Sequence, residues 1–415
     1  MKSILTSIAA GSLLAAFATA QTPRYTVTDL GTFGGTFSIP NGINNAGRVA
    51  GAANVPAGNQ HPFLSGIVKT DLGTLGGPNA LSYGPDGREE MAITSETSKT
   101  DPLGEDFCGF GTHLICLGAF WNGTMTALPT LGGANAIAWA LNNRGQLAGV
   151  AENATKDKRC TSPQVLDFEA VIWGPGQGQI QALPTLSGDT VGFAVMINDL
   201  GQAVGSSGTC DNAAVGVQGV FYGPHAVLWD NGSVTDLGNL GGVMNNVATA
   251  INNRGEVVGS SDLPGDTSAH GFLWTKDAGI QDIGALGADV MAAPIWINNN
   301  SQVSGGSCDD MGNCRAFLWQ KKVMTDLNTL IPADSPFYLL FGCSINDAGE
   351  IVGPALNKST GEVHAYLATP IPGKAGSGSA APASQVETMP MALPENVRQM
   401  LRQRLPSARF GAQPR

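Results

Sequence analysis

At 415 residues, with 56 Gly, 24 Pro and only 13% charged residues, the chain is too turn-rich for a coiled coil and long enough for one large repeat fold or two domains. A formal net charge of −11 argues against nucleic acid or an anionic membrane as partner of the main body. The charge is uneven: residues 370–415 hold Lys374, Arg398, Arg402, Arg404, Arg409 and Arg415 against Glu387 and Glu395, so an acidic body carries a basic tail.

The first 20 residues, MKSILTSIAAGSLLAAFATA, have a basic Lys2, a mostly apolar run from Ile4 to Phe17, and small Ala18 and Ala20 around Thr19. That is the layout of a signal peptide cut before Gln21. The apolar run is short for a spanning helix, and no later stretch is long enough to cross a bilayer. The mature chain is therefore expected outside the cell, in a bacterial periplasm or at a cell surface, with no transmembrane segment. Its seven Cys are then expected in disulfides. Cys108 is near Cys116 and Cys308 near Cys314 in sequence, and Cys160 pairs with Cys210 across neighbouring units; Cys343 is left unassigned. There is no Cys-x-x-Cys spacing, so no metal centre is expected.

From Tyr25 onward three phrases recur in fixed order, each seven times. The first is seen in Asp29-Leu-Gly-Thr-Phe-Gly-Gly, Asp71-Leu-Gly-Thr-Leu-Gly-Gly and Asp236-Leu-Gly-Asn-Leu-Gly-Gly, with further copies from Ala127, Ala182, Asp282 and Asp326. The second is Ile251-Asn-Asn-Arg-Gly-Glu-Val-Val-Gly and its copies from Ile43, Leu141, Ile197, Ile297 and Ile345, with a worn copy, Tyr83-Gly-Pro-Asp-Gly. The third is His270-Gly-Phe-Leu-Trp, echoed at His61, Gly118, Ala170, His225, Arg315 and His364. A period of about 50 residues holding four short strands is the size of a propeller blade.

Within a unit, strand a ends at the Ile of Ile-Asn-Asn. The Asn-Asn-x-Gly turn follows, with its Gly in the left-handed region and its first Asn bonded to its own backbone two residues on. Strand b is Glu256–Gly259, strand c His270–Trp274 and strand d Val234–Leu237. The mature chain opens with a lone d strand, Tyr25–Leu30, and the last unit supplies a, b and c but no d. The expected fold is all-β: a seven-bladed β-propeller in which the N-terminal strand completes the last blade and removes two sheet edges. The expected domains are a signal peptide (1–20), the propeller (21–369), a disordered Pro/Gly/Ser/Ala-rich linker (370–392) and a basic tail (393–415). In that tail, residues 394–405 can form a short helix with Val397, Met400, Leu401 and Leu405 on one face, marginal if isolated.

Taken together, Asp-Leu-Gly-Thr-Leu-Gly-Gly, Ile-Asn-Asn-x-Gly-x-Val-Val-Gly and His-x-Phe-Leu-Trp resemble the HAF-type extracellular repeat family of bacteria over about residues 25–368. Unit two, which has lost Asn-Asn, departs most, and units two and three lack the His. The resemblance implies an exported bacterial repeat protein and brings no activity that maps onto residues. The strand order also resembles that of kelch propellers, whose motif is not matched.

The repeated His61, His225, His270 and His364 read as structural, as do the repeated Asp residues and the Trp at the ends of c strands. A group recurring around a ring is a poor catalyst candidate. What departs from the repeat is more informative. Trp139 and Trp296 lie in a strands, where they can stack on a ligand at the channel. The b–c connections of units two to four are long (95–117, 151–168 and 206–223) and carry four of the Cys; they hold Glu105, Asp106 and His113 as candidate binding residues. No hydrolase, zinc-protease, P-loop or dinucleotide motif is present, so no cofactor is expected. Asp309-Asp310-Met-Gly-Asn313 lacks the Glu of a calcium loop. The leading expectation is a monomeric, non-catalytic scaffold that binds a protein or glycan through the b–c loop face of blades two to four. The alternative is an extracellular polysaccharide hydrolase or lyase using non-repeat carboxylates such as Glu96, Glu105, Asp106 or Asp189. A third reading makes the propeller a spacer whose basic tail docks to a cell surface.

Overall fold

The structure is a computed structural model that describes residues 24–66, 69–175, 178–215, 222–372 and 390–404. The expected signal peptide, most of the linker and the end of the basic tail lie outside the described residues. The fold is all-β and propeller-like, built of small antiparallel sheets; in most of them the strands are hydrogen-bonded in chain order, and a parallel bridge from Ala269 to Met291 links units five and six. Unit five shows the pattern: Asn246–Ile251 pairs with Val257–Asp262, that with Ala269–Thr275, and that with Gly279–Gly284. Strands a, b and c are rich in buried Val, Ile, Ala and Phe, while the short d strand is largely exposed. The sequence pattern therefore fits an inner, doubly covered part and an outer edge.

Neighbouring sheets pack through apolar side chains. One cluster runs from Ala140 and Ala148 through Trp229, Ile251 and Phe272 to Phe317 and Trp319. The c-strand Trp also ties units by hydrogen bonds: Trp173 Nε1 donates to the Pro129 carbonyl (2.9 Å) and Trp229 Nε1 to the Pro184 carbonyl (2.7 Å). Each carbonyl belongs to the Ala-Leu-Pro phrase of the preceding unit, so a buried indole N–H is satisfied across the junction.

The Gly of Val-Val-Gly has a specific cause. In unit five, strand a carries a bulge between Ala248 and Ala250. A Cβ on Gly259 would stand 2.1 Å from the Val247 carbonyl oxygen and 2.7 Å from the Phe272 ring. Unit four repeats this: the bulge lies between Ala194 and Met196, and a Cβ on Gly205 would meet the Phe193 carbonyl at 1.9 Å. Unit two is the internal control. Ile93 occupies the equivalent place, and its strand pair runs without a bulge from Ala80 to Tyr83. The bulge and the Gly are thus one device: the extra residue pushes a carbonyl onto strand b, and only a residue without Cβ leaves room.

Tyr25–Asp29 lies antiparallel to Val363–Pro370, with Tyr25 opposite Pro370 and Asp29 opposite Tyr366. Pro370, counted with the linker at sequence level, therefore belongs to a strand. The tail helix forms as Glu395–Arg404. It does not stand alone. Leu393, Val397 and Leu401 are at most 4% exposed and pack against Phe37, Met291, Leu340 and Phe341. The Met391 N–H donates to the Tyr338 hydroxyl (3.1 Å) and the Leu393 N–H to Asn313 Oδ1 (2.8 Å). A helix this short is marginal in water; burying three aliphatic side chains contributes about 5 kcal/mol before ordering costs. Among the described residues no helix is long and apolar enough to cross a membrane.

Gly259→Ala is expected to lower stability by about 3 kcal/mol, because its Cβ meets backbone rather than a movable side chain. Urea or thermal unfolding checks this; Ile93→Gly in the bulge-free unit two should bring no compensating gain.

Candidate functional site

The two ends of the propeller-like body are built differently. At the a–b turn end, the first Asn of each turn acts twice. Asn252 Oδ1 accepts the N–H groups of Arg254 and Glu256, closing its own turn, while its Nδ2 donates to the Asn298 carbonyl of the next unit. The same donation links 44 to 86, 142 to 198, 198 to 252, 298 to 346 and 346 to 44, at 2.8–3.1 Å. A second series runs outside it. The backbone N–H groups of Gly87, Asn143, Asp199, Asn253, Asn299 and Asp347 each donate to the side-chain oxygen of the corresponding residue in the next turn, Asp347 to Asn45, at 2.9–3.0 Å. Both series break at the worn turn of unit two, where Asp86 has no amide to donate onward and Gly87 has no side chain to accept.

These turns surround a cavity of about 210 Å³. Trp139 and Trp296 both line it, and Trp139 meets Phe193 edge-on with ring centroids 6.2 Å apart. The carboxylates of Asp199 and Asp347 stand in its wall. Burial works to raise their pKa values, but hydrogen bonds from Asn143 and Asn253, and from Asn299 and Asn45, outweigh it and hold both below the ordinary range.

At the b–c end the long connections of units two to four are tied into one body. Cys108–Cys116 closes the unit-two loop, Cys160–Cys210 joins units three and four, and Cys308–Cys314 clips unit six. Phe107 packs edge-on against Phe168, ring centroids 6.2 Å apart. Glu105 is fully buried; its Oε1 accepts the N–H groups of Val165 (2.7 Å) and Leu166 (2.9 Å), stitching the unit-two loop to unit three. Gln164 Nε2 donates to Glu105 Oε1 (3.3 Å) and Glu152 Oε1 (3.0 Å). Glu152 Oε2 accepts both the backbone and side-chain N–H of Asn135, and Asn135 Nδ2 also reaches Asp101 (2.9 Å). Glu96 binds Asn79 in the same two ways, one unit earlier. Burial, and then the neighbouring charge of Glu105, push the Glu152 pKa up to about 7 against the opposing hydrogen bonds. Burial raises that of Glu105 as well.

The candidate residues thus fall in two places. Glu105, Asp106 and His113 share the unit-two loop, while Trp139 and Trp296 line the cavity at the other end. Of the loop residues, Glu105 is inaccessible. Asp106 accepts the Gly111 N–H (2.9 Å), and His113 Nδ1 meets the Gly104 carbonyl (2.8 Å) with φ 55°. Both side chains shape the loop. Glu152, Asn135 and Gln164 were not singled out from sequence. The signal was present in the Gly-Gly-x-Asn steps ending at Asn79 and Asn135, each followed by a Glu at the end of strand b.

The repeated His residues meet repeated Asp residues: His61–Asp71 (2.8 Å), His270–Asp282 (2.9 Å) and His364–Asp29 (2.9 Å). His225 instead meets Asp189 (2.9 Å), which also accepts the Ser207 hydroxyl (2.6 Å). Buried Arg315 replaces the His in unit six and reaches Asp289 and Asp326. Cys160, Asp167 and Cys210 lie together, but their sulfurs form a disulfide and offer no thiolate to a metal.

No family model matches the chain, and no curated protein matches its sequence. Among solved structures, the chain is similar to an oligogalacturonate lyase in complex with manganese at 11% identity and TM-score 0.47, over 79% of this chain and 87% of that one. It is also similar to TolB from Acinetobacter baumannii (13% identity, TM-score 0.39, 78% and 63% covered). A third likeness is to a puromycin hydrolase (12% identity, TM-score 0.46, 83% and 53% covered), so the chain spans about half of that protein and under two thirds of TolB.

Two outcomes are expected. The folded-state pKa of Glu152, about 7, lies above its ordinary 4.5, so the native state holds this proton more tightly than the unfolded chain. Stability should therefore fall as pH rises from about 4.5 to 7, by about 3 kcal/mol from this group. Glu105→Gln keeps an oxygen for Val165 and Leu166 and removes the neighbouring charge, so it should lessen the loss measured by urea midpoints at pH 5 and pH 8; an unchanged loss would assign the whole effect to burial. Asp86→Asn supplies the missing donor to the Asn142 carbonyl and should raise stability by about 1 kcal/mol, since Arg88 keeps its contact with Glu90 (2.8 Å).

Proposed function

We propose that this chain is an exported, seven-bladed propeller of the HAF repeat type, with Tyr25–Asp29 as the fourth strand of the last blade, and that it serves as a binding scaffold. Its recognition surface is the b–c loop face, with blades two to four as a rigid lip and a protein or glycan as ligand. The observation that carries this reading is the inward use of the loop carboxylates. Glu96, Glu105 and Glu152 are at most 1% exposed; Glu96 and Glu152 accept hydrogen bonds within their own units and Glu105 accepts those of the next, leaving them no open path to a substrate. Exposed apolar side chains instead stand on the chain's connections: Leu103 (38% exposed) on the unit-two loop, Val243 (66%) and Met244 (46%) between units four and five, and Met311 (54%) on the unit-six loop. Rigid loops that display exposed apolar groups fit a contact surface. Three disulfides fit an oxidising, extracellular or periplasmic setting.

The reading is tested by screening the purified protein against a glycan array and isolated cell-surface proteins. For the ligand so found, Leu103→Asp combined with Val243→Asp should weaken binding at least tenfold without moving the unfolding midpoint. Unchanged binding would place the surface elsewhere. Glycan cleavage that disappears in Glu152→Gln would replace the scaffold with the hydrolase or lyase.

A further inference from the structure

The C-terminal helix occupies a groove on the body that has the marks of a recognition site. Its floor is apolar: Phe37, Met291, Leu340, Phe341, Leu356 and Val363, contributed by units six and seven and the start of unit one. Val397 and Leu401, one helical turn apart, fill it from the helix, and Leu393 fills it from the segment just before the helix. The entry is polar and directional. Tyr338 and Asn313 receive two main-chain N–H groups of the segment that precedes the helix, fixing where the helix starts and which way it runs. Exposed contacts such as Arg398–Glu395 stay within the helix and add nothing to the groove.

We propose that this groove is a binding site for amphipathic helices with apolar residues at i and i+4 and a further apolar residue in the segment leading into the helix, which the chain keeps closed with its own tail. The attachment is modest: three buried apolar side chains, the half-buried Met391 and Met400, and two hydrogen bonds hold a helix of ten residues and the short segment before it. Closure is maintained by the covalent link through residues 373–389, which keeps the tail near the groove at an effective concentration on the order of 1 mM. A partner helix must outcompete that local concentration, so the tail sets a threshold rather than a permanent seal. The groove is separate from the lip of units two to four, and the failure of either assignment leaves the other standing.

The test uses the full chain with a protease site placed between residues 373 and 389, cut after purification and freed of the released fragment by dilution and gel filtration. A fluorescent peptide of residues 390–404 is titrated into cut and intact protein and followed by anisotropy. Saturable binding to the cut protein is expected, with binding to the intact protein weakened about 10²–10³-fold by the tethered competitor. A peptide carrying Val397→Asp and Leu401→Asp should bind at least tenfold more weakly than the native one. Absence of saturable binding to cut protein, equal binding to cut and intact protein, or equal binding of the variant peptide would each overturn the proposal. So would loss of the body's cooperative thermal transition on cutting, which would make the helix part of the core.

Discussion

Much of this structure depends on one side chain used in two directions. An Asn at the head of the a–b turn, in every unit but the second, closes its own turn through Oδ1 and grasps the next unit through Nδ2. Only an amide does both at once, because it carries an acceptor and a donor on one planar group. The spacing of the inner strands follows from that reach of about 3 Å between one turn and the next carbonyl. The outer series, running from backbone N–H to the side chain of the following turn, sets the same spacing a second time. With both in place, the a–b end is stiff and its Asn amides are largely committed to the scaffold, and the cavity between them is walled by carboxylates and two indoles.

Unit two shows what happens when the pattern lapses. It has lost the turn amides at Asp86 and Gly87 and the bulge-permitting Gly at Ile93, and its b–c loop is the longest. The lost interactions at the turn end are accompanied by new ones at the other end, where Glu105 enters unit three and the Glu96–Asn79 contact is retained. The cost of this welding is a pair of buried carboxylates, Glu105 and Glu152, sharing the amide of Gln164. Burial raises the pKa of both, so as pH rises past about 7 the Glu152 carboxylate adds a buried charge beside Glu105. The carboxylates that looked available for chemistry in the sequence are therefore among the most deeply used structural groups.

The fold was largely legible because repetition averages out local ambiguity. Strand boundaries at Val257–Asp262 and Ala269–Thr275, the left-handed Gly of the turns and the Cys108–Cys116 and Cys308–Cys314 pairs follow from patterns seen several times or from Cys close in sequence, whereas Cys160–Cys210 spans 50 positions. The site was far less legible. Glu105 and Glu152 lie 47 positions apart in different units, and nothing local to either states that they meet. His225 shares its phrase with the other repeated His residues, yet turns to Asp189 instead of Asp236 on the next strand of its own unit, a choice made by which carboxylate the packing brings nearer. The tail helix was visible as an apolar stripe, but a stripe does not say what covers it.

Sequence alone determined the repeat, its period, the strand order within a unit, the turn chemistry and the acidic body with its basic tail. Each of these rests on short-range stereochemistry or on composition, which are complete within a few residues. Tertiary structure decided which end holds the cavity, which carboxylates are buried against each other, how Tyr25–Asp29 meets Val363–Pro370, and where the C-terminal helix lies. Those are contacts between residues tens to hundreds of positions apart. Their energies come from burial and from hydrogen bonds formed only after the units have stacked, so they have no local signature to read.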